Sequence, residues 1–103
     1  MPMQATDHWA RHLTVVMPRR RAGVTARLLE GEAVLYDHAG GRMHRMNETA
    51  LHIWNACDAT RTTEDIAGEI AARYDVPCAT ALMDVEQTLA AFAQAGLVEG
   101  VTA

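Results

Sequence analysis

Lysine is absent from this chain of 103 residues: its nine basic residues are all arginine, set against thirteen carboxylates, for a net charge of −4. That balance argues against nucleic-acid binding, which needs a surplus of basic side chains to neutralise phosphates. Cysteine is scarce too. Cys57 and Cys78 have neither CxxC spacing nor the density of a disulfide framework, so both are expected as reduced thiols with packing as their default role. Half of the residues are apolar, yet no uninterrupted apolar run reaches the roughly 18 to 20 residues needed to cross a bilayer. The opening stretch Met1 to His12 carries Asp7, His8 and Arg11 and lacks the apolar run and small-residue cleavage site of a signal peptide. A soluble, cytoplasmic protein with one domain is the expectation, since this length suits a single core.

Along the chain, residues 1–22 read as a flexible N-terminal tail, residues 23–99 as the folded domain and residues 100–103 as a C-terminal tail. Within the first segment His8, Trp9, His12, Leu13 and Val16 fall at helical spacings, an amphipathic arm ended by Pro18-Arg19-Arg20-Arg21. Val24 to Glu30 and Glu32 to Asp37 are β-prone runs flanking Gly31, and His38-Ala39-Gly40-Gly41 is a turn signal before Arg42 to Met46. Asn47 is a cap, and Ala50, Ile53, Trp54 and Cys57 mark one face of a helix over about Glu48 to Asp58. Thr62-Thr63-Glu64-Asp65 resembles a capping box with Asp in place of Glu, followed by the stripe Ile66, Ile70 and Tyr74. Asp75-Val76-Pro77 stops that helix. A third, about Ala79 to Ala95, buries Leu82, Val85, Leu89 and Phe92, ends at Gly96, and lets Leu97 and Val98 return to the core. The sum is an α+β fold of order βββααα, a three-stranded antiparallel sheet followed by three helices, without repeats.

Candidate chemistry is thin. His8 with His12 has helical spacing but lacks the general-base Glu of HExxH, and His38, His44 and Cys57 form no known ligand set. Cys57 lies on an apolar stripe, where a thiol is inert packing, and Cys78 is open to reaction but has no evident base. Glu64 with Asp65 and Asp84 with Glu86 sit near helix starts or on polar faces, where solvation and the helix dipole account for them. Gly40-Gly41 lies between strands and does not open a helix, so it is no phosphate loop. No catalytic constellation emerges, and no cofactor or metal is called for.

The strand Arg42-Met43-His44-Arg45-Met46 differs, because His44 and Met46 point one way and Met43 and Arg45 the other. Its plain role is to finish a small sheet. Were it an edge, its free N–H and C=O groups could pair with an extended peptide, with Met43 as an adaptable apolar contact and Arg45 as a charge for an acidic ligand.

At this point the order of several short motifs resembles the PqqD family. Gly31-Glu32-Ala33-Val34-Leu35-Tyr36-Asp37, Gly41-Arg42, Met46-Asn47-Glu48-Thr49-Ala50 and Ile53-Trp54 look like its strand pair and first helix. Cys57-Asp58, Arg61-Thr62 and Glu64-Asp65-Ile66 are similar to its next signature, and Asp84-Val85, Leu89 and Ala95-Gly96-Leu97-Val98 to its last helix. Met46 stands where Leu is usual, and His44 where an aromatic often sits. The resemblance, over about Val24 to Glu99, implies a winged helix-turn-helix that serves as the recognition element for ribosomally made, post-translationally modified peptides. It implies a non-catalytic peptide chaperone that takes the leader of a precursor peptide as an added strand beside the third strand, against the third helix. The partner implied is a modifying enzyme of radical SAM or other type, in pyrroloquinoline quinone synthesis or a related pathway.

Carried over, the peptide-binding residues are Arg42, Met43, His44, Arg45 and Met46 of the strand with Val85, Thr88, Leu89 and Phe92 of the last helix, although Leu89 and Phe92 also suit the core. Asn47, Ala50, Trp54 and Ile66 are assigned to capping and packing. The competing class is a winged helix-turn-helix DNA-binding regulator. Against it, Ala79 to Ala95 contains no basic residue and Glu64 to Tyr74 offers only Arg73. A small metal or thiol enzyme would rest on His and Cys counts alone. No membrane or nucleic-acid partner is expected, and a homodimer by strand pairing is compatible with an exposed edge.

Overall fold

The computed structural model describes residues 16–101. The amphipathic arm and the His8 and His12 pair lie outside the described residues, as does most of the expected tail. Strands β1 (Arg19–Arg20), β2 (Val24–Leu29), β3 (Glu32–Asp37) and β4 (Arg42–Met46) precede helices α1 (Glu48–Ala56), α2 (Thr63–Tyr74) and α3 (Cys78–Gln94), and β5 (Val98–Glu99) follows. β2, β3 and β4 form an antiparallel sheet in chain order. The β2–β3 turn is Glu30-Gly31, both with positive φ, as a two-residue hairpin whose twist matches its strands requires. In the β3–β4 turn the Asp37 carboxylate accepts from the N–H groups of Ala39 and Gly40. A Cβ at Gly40 would lie 2.7 Å from that carboxylate, so a larger residue there would have to displace the Asp37 side chain.

The helix starts follow local rules. Asn47 Oδ1 accepts from Ala50 N at 2.8 Å to cap α1. The capping box of α2 is complete: Asp65 N donates to Thr62 Oγ1, and Thr62 N donates to Asp65 Oδ2. Between these helices the Asp58 carboxylate accepts from the Thr60 hydroxyl and N–H and pairs with Arg61, and the first of these bonds is the main reason its pKa falls below the usual value. Cys57-Asp58 and Arg61-Thr62, conspicuous in the sequence, thus build this turn. α3 ends in a Schellman motif, with Gly96 N donating to Ala93 O, Leu97 N donating to Phe92 O, and Gly96 at φ 73°.

The core lies between the Ala33 and Leu35 face of the sheet and the helices, filled by Ile53, Trp54, Ile66, Val85, Leu89 and Leu97. Cys57 is wholly buried, and loss of hydration pushes its thiol up to about 12, against the opposing effect of Arg20. Cys78 is exposed. A thiol-directed alkylating agent at neutral pH is therefore expected to modify Cys78 alone in the folded protein and both cysteines in urea, read by mass spectrometry. Because the folded Cys57 pKa is raised above its ordinary 9.0, the associated stability is complete below pH 9 and declines as pH rises from 9 towards 12.

The ordered body begins earlier than residue 23. Pro18 is among the fully buried side chains, and β1 pairs antiparallel with β5 through Arg19 with Glu99 and Arg20 with Val98. Arg20 N donates to Cys57 O and Arg21 N donates to Leu97 O, while the Arg20 guanidinium lies 5.6 Å from the centre of the Trp54 ring. A Pro and Arg cluster reads as loose because the groups that hold it are far along the chain.

Candidate functional site

Among the described residues β4 has a sheet neighbour on one side only, β3, which leaves its other edge unpaired within the sheet. Beside it runs a groove of about 400 Å³ between β4 and α3. Its strand wall is His44, Arg45 and Met46, and its helix wall is Gln87, Thr88, Ala91, Phe92 and Ala95, with Ala50 and Leu97 completing the lining. Such a groove presents unpaired main-chain groups along one wall and shallow apolar side chains along the other, which suits an extended chain.

Register decides which strand residues face it. His44 lies opposite Leu35 and Met46 opposite Ala33, on the helix side of the sheet, whereas Met43 and Arg45 lie opposite Tyr36 and Val34 on the outer side. His44 Nε2 is buried without a hydrogen-bond partner among the described residues. A buried polar group left unmatched costs about 1 to 3 kcal/mol, and a ligand that supplies a partner recovers that cost.

Of the residues expected from the sequence, His44, Arg45, Met46, Thr88 and Phe92 come together at the groove. Arg42 is exposed at the start of β4, and Met43 is 63% exposed on the outer sheet face. Val85, with no exposed surface, and Leu89 at 2% are core residues and do not line the groove. Their places are taken by Ala91 and Ala95, which with Thr88 form the neighbouring stripe of α3. That stripe was visible as small residues spaced three and four apart, but apolar periodicity favours the bulkier one. Arg45 also makes a 3.4 Å ion pair with Glu32 on the outer face. A larger depression of about 570 Å³ lies between α1 and α2, includes the Arg61 and Glu69 ion pair, and touches no residue of the sheet.

Among the described residues no group of three or more His, Cys, Asp and Glu side chains could hold a metal ion, and no helix is long and apolar enough to cross a membrane.

No curated protein matches the sequence. Two solved structures share the fold. TbiB1 in complex with the TbiA(beta) leader peptide is 25% identical, with a TM-score of 0.71 over 82% of this chain and 99% of that one. Lasso peptide synthetase B1 complexed with the leader peptide is 21% identical, with a TM-score of 0.69 over 80% and 96% of the respective chains. The family described as Coenzyme PQQ synthesis protein D (PqqD) matches residues 32–98, which span β3 to the start of β5 and so take in both walls of the groove. The chain belongs to the PqqD family.

Proposed function

We propose that this protein is a non-catalytic, cytoplasmic adaptor that binds the leader of a ribosomally made precursor peptide and presents it to a modifying enzyme. The observation that carries the reading is the groove between the free edge of β4 and the small-residue stripe of α3. A leader strand laid along β4 pairs its main chain with that edge, and its alternate side chains enter the groove. There they meet Met46, Ala91 and Phe92, and a polar group of the peptide can satisfy His44 Nε2. TbiB1, a structural relative of matching length, is bound to a leader peptide, which supports the same use here. The modifying enzyme is of the radical SAM or a comparable type.

A DNA-reading role finds no support in α3, whose seventeen residues include Asp84 and Glu86 and no Arg.

Calorimetric titration with the leader of the precursor peptide encoded beside this gene, with a random DNA duplex as control, tests the proposal. The expected result is micromolar or tighter binding to the leader and none to DNA. Met43→Asp and Arg45→Glu, both beside the added strand, are expected to weaken leader binding while leaving the fold intact. Salt-sensitive binding to DNA without leader binding would overturn the reading.

A further inference from the structure

The sheet has a second face, turned away from the helices. Strand alternation places Arg27 and Leu29 of β2, Val34 and Tyr36 of β3, and Met43 and Arg45 of β4 on it, around a depression of about 300 Å³. Register puts Arg27, Val34 and Arg45 in one row across the three strands, with Tyr36 and Met43 side by side in the next. Leu29 is 53% and Met43 63% exposed, so the face is an open apolar patch bracketed by two guanidiniums. Glu32 pairs with Arg45, whereas Arg27 makes no ion pair among the described residues. In a chain of net charge −4 this face therefore carries a local excess of positive charge.

An exposed apolar patch whose charged rim is predominantly of one sign has the form of a protein-docking surface. Charge selects the occupant. A second copy of this chain, set face to face, would bring four guanidiniums against two carboxylates, a like-charge arrangement that opposes association. A different protein with carboxylates around an apolar ridge is complementary. Continuity with the groove narrows the choice further, because a strand added to β4 sends half of its side chains into the groove and the other half onto this face, next to Met43 and Arg45.

We propose that the outer face of the β2–β3–β4 sheet docks the modifying enzyme through an acid-rimmed apolar patch of that enzyme, which contacts the sheet and the bound leader together. The proposal rests on the leader-binding reading above. It makes loading with leader the condition for full affinity, since the surface gains its fourth strand only then.

β2 provides the test. It stands two strands from the free edge of β4, roughly 10 Å away, so Arg27 and Leu29 are beyond the reach of the added strand. Arg27→Glu and Leu29→Glu, both at exposed positions, are measured against the leader alone and against the purified modifying enzyme encoded beside this gene, with and without leader. The expected result is leader affinity within twofold of the unsubstituted protein, at least tenfold weaker enzyme binding to the loaded variants, and stronger enzyme binding to loaded than to leader-free protein. If the unsubstituted protein binds no leader, the groove reading itself fails. If it binds leader while both variants keep the enzyme, only the docking face is overturned. Equal enzyme affinity with and without leader overturns the joint contact, and a dimer in sedimentation that the variants dissociate assigns the face to self-association instead.

Discussion

Trp54→Ala lowers the unfolding free energy by roughly 3 to 5 kcal/mol, the range for removing a large buried aromatic. In a domain with a total stability of about 5 to 15 kcal/mol that is a large share of the whole, and near the lower end of the range it leaves a substantial unfolded fraction. The effect is large because three parts of the chain meet at this ring. Trp54 is 5% exposed and fills the core between α1 and the end of α3. Its Nε1 donates a buried hydrogen bond to Leu97 O, and Arg20 lies over its ring, so the side chain ties α1 to the segments that carry β1 and β5. Trp54→Phe separates the contributions: it keeps much of the packing and leaves the Leu97 carbonyl with the Arg21 N–H as its remaining donor, for a smaller loss of about 0.5 to 1.5 kcal/mol. Urea unfolding followed by circular dichroism measures both. An unchanged midpoint for Trp54→Ala would show that the residue does not occupy the core.

Ala91→Glu is expected to weaken leader binding at least tenfold, about 1.4 kcal/mol or more, with little change in folding. Ala91 is an exposed α3 position whose methyl group forms part of the apolar groove wall. A carboxylate there fills space that the peptide would use, and peptide binding would strip it of water without giving it a partner. Because the position faces solvent in the free protein and Glu is a good helix former, the cost to the helix is small, about a few tenths of a kcal/mol from lower propensity and the C-terminal helix dipole. Val85→Ala is the informative contrast: Val85 lies in the core two turns earlier, so its truncation should lower stability without selectively affecting the leader. A full-strength leader interaction in a folded Ala91→Glu protein would remove α3 from the binding site.

The elements legible in the sequence are those governed by nearby residues. Asn47 and the Thr62 and Asp65 pair cap their helices through bonds that span three residues, and Gly31 and Gly96 stand where the backbone needs positive φ. α1 was expected to reach Asp58 but ends at Ala56, because Asp58 is engaged by Thr60 and Arg61 in the turn towards α2. Distant pairings were not legible. Nothing local marks Arg19 and Arg20 as a strand, since their partners are Val98 and Glu99 and the Cys57 carbonyl. The groove was half legible for the same reason. The alternation of β4 separates His44 and Met46 from Met43 and Arg45 without any structure, but which stripe of α3 turns towards β4 depends on how the helix packs. Thr88 and Phe92 were expected on that wall and line it, but bulk also favoured Val85 and Leu89, where packing placed Ala91 and Ala95 instead.

The clasp of β1 against β5 also determines how this domain can be joined to other chains. With Arg19 paired to Glu99, the path into the fold and the path out of it lie side by side, roughly 5 Å apart at the paired residues. A domain with adjoining ends can be spliced into a surface loop of a larger protein without stretching either connection, and a short linker across the clasp would permit circular permutation. New ends opened at the Glu30-Gly31 hairpin would leave β4 and α3 continuous, so a permuted chain would keep its peptide groove while moving its points of attachment to the far side of the sheet.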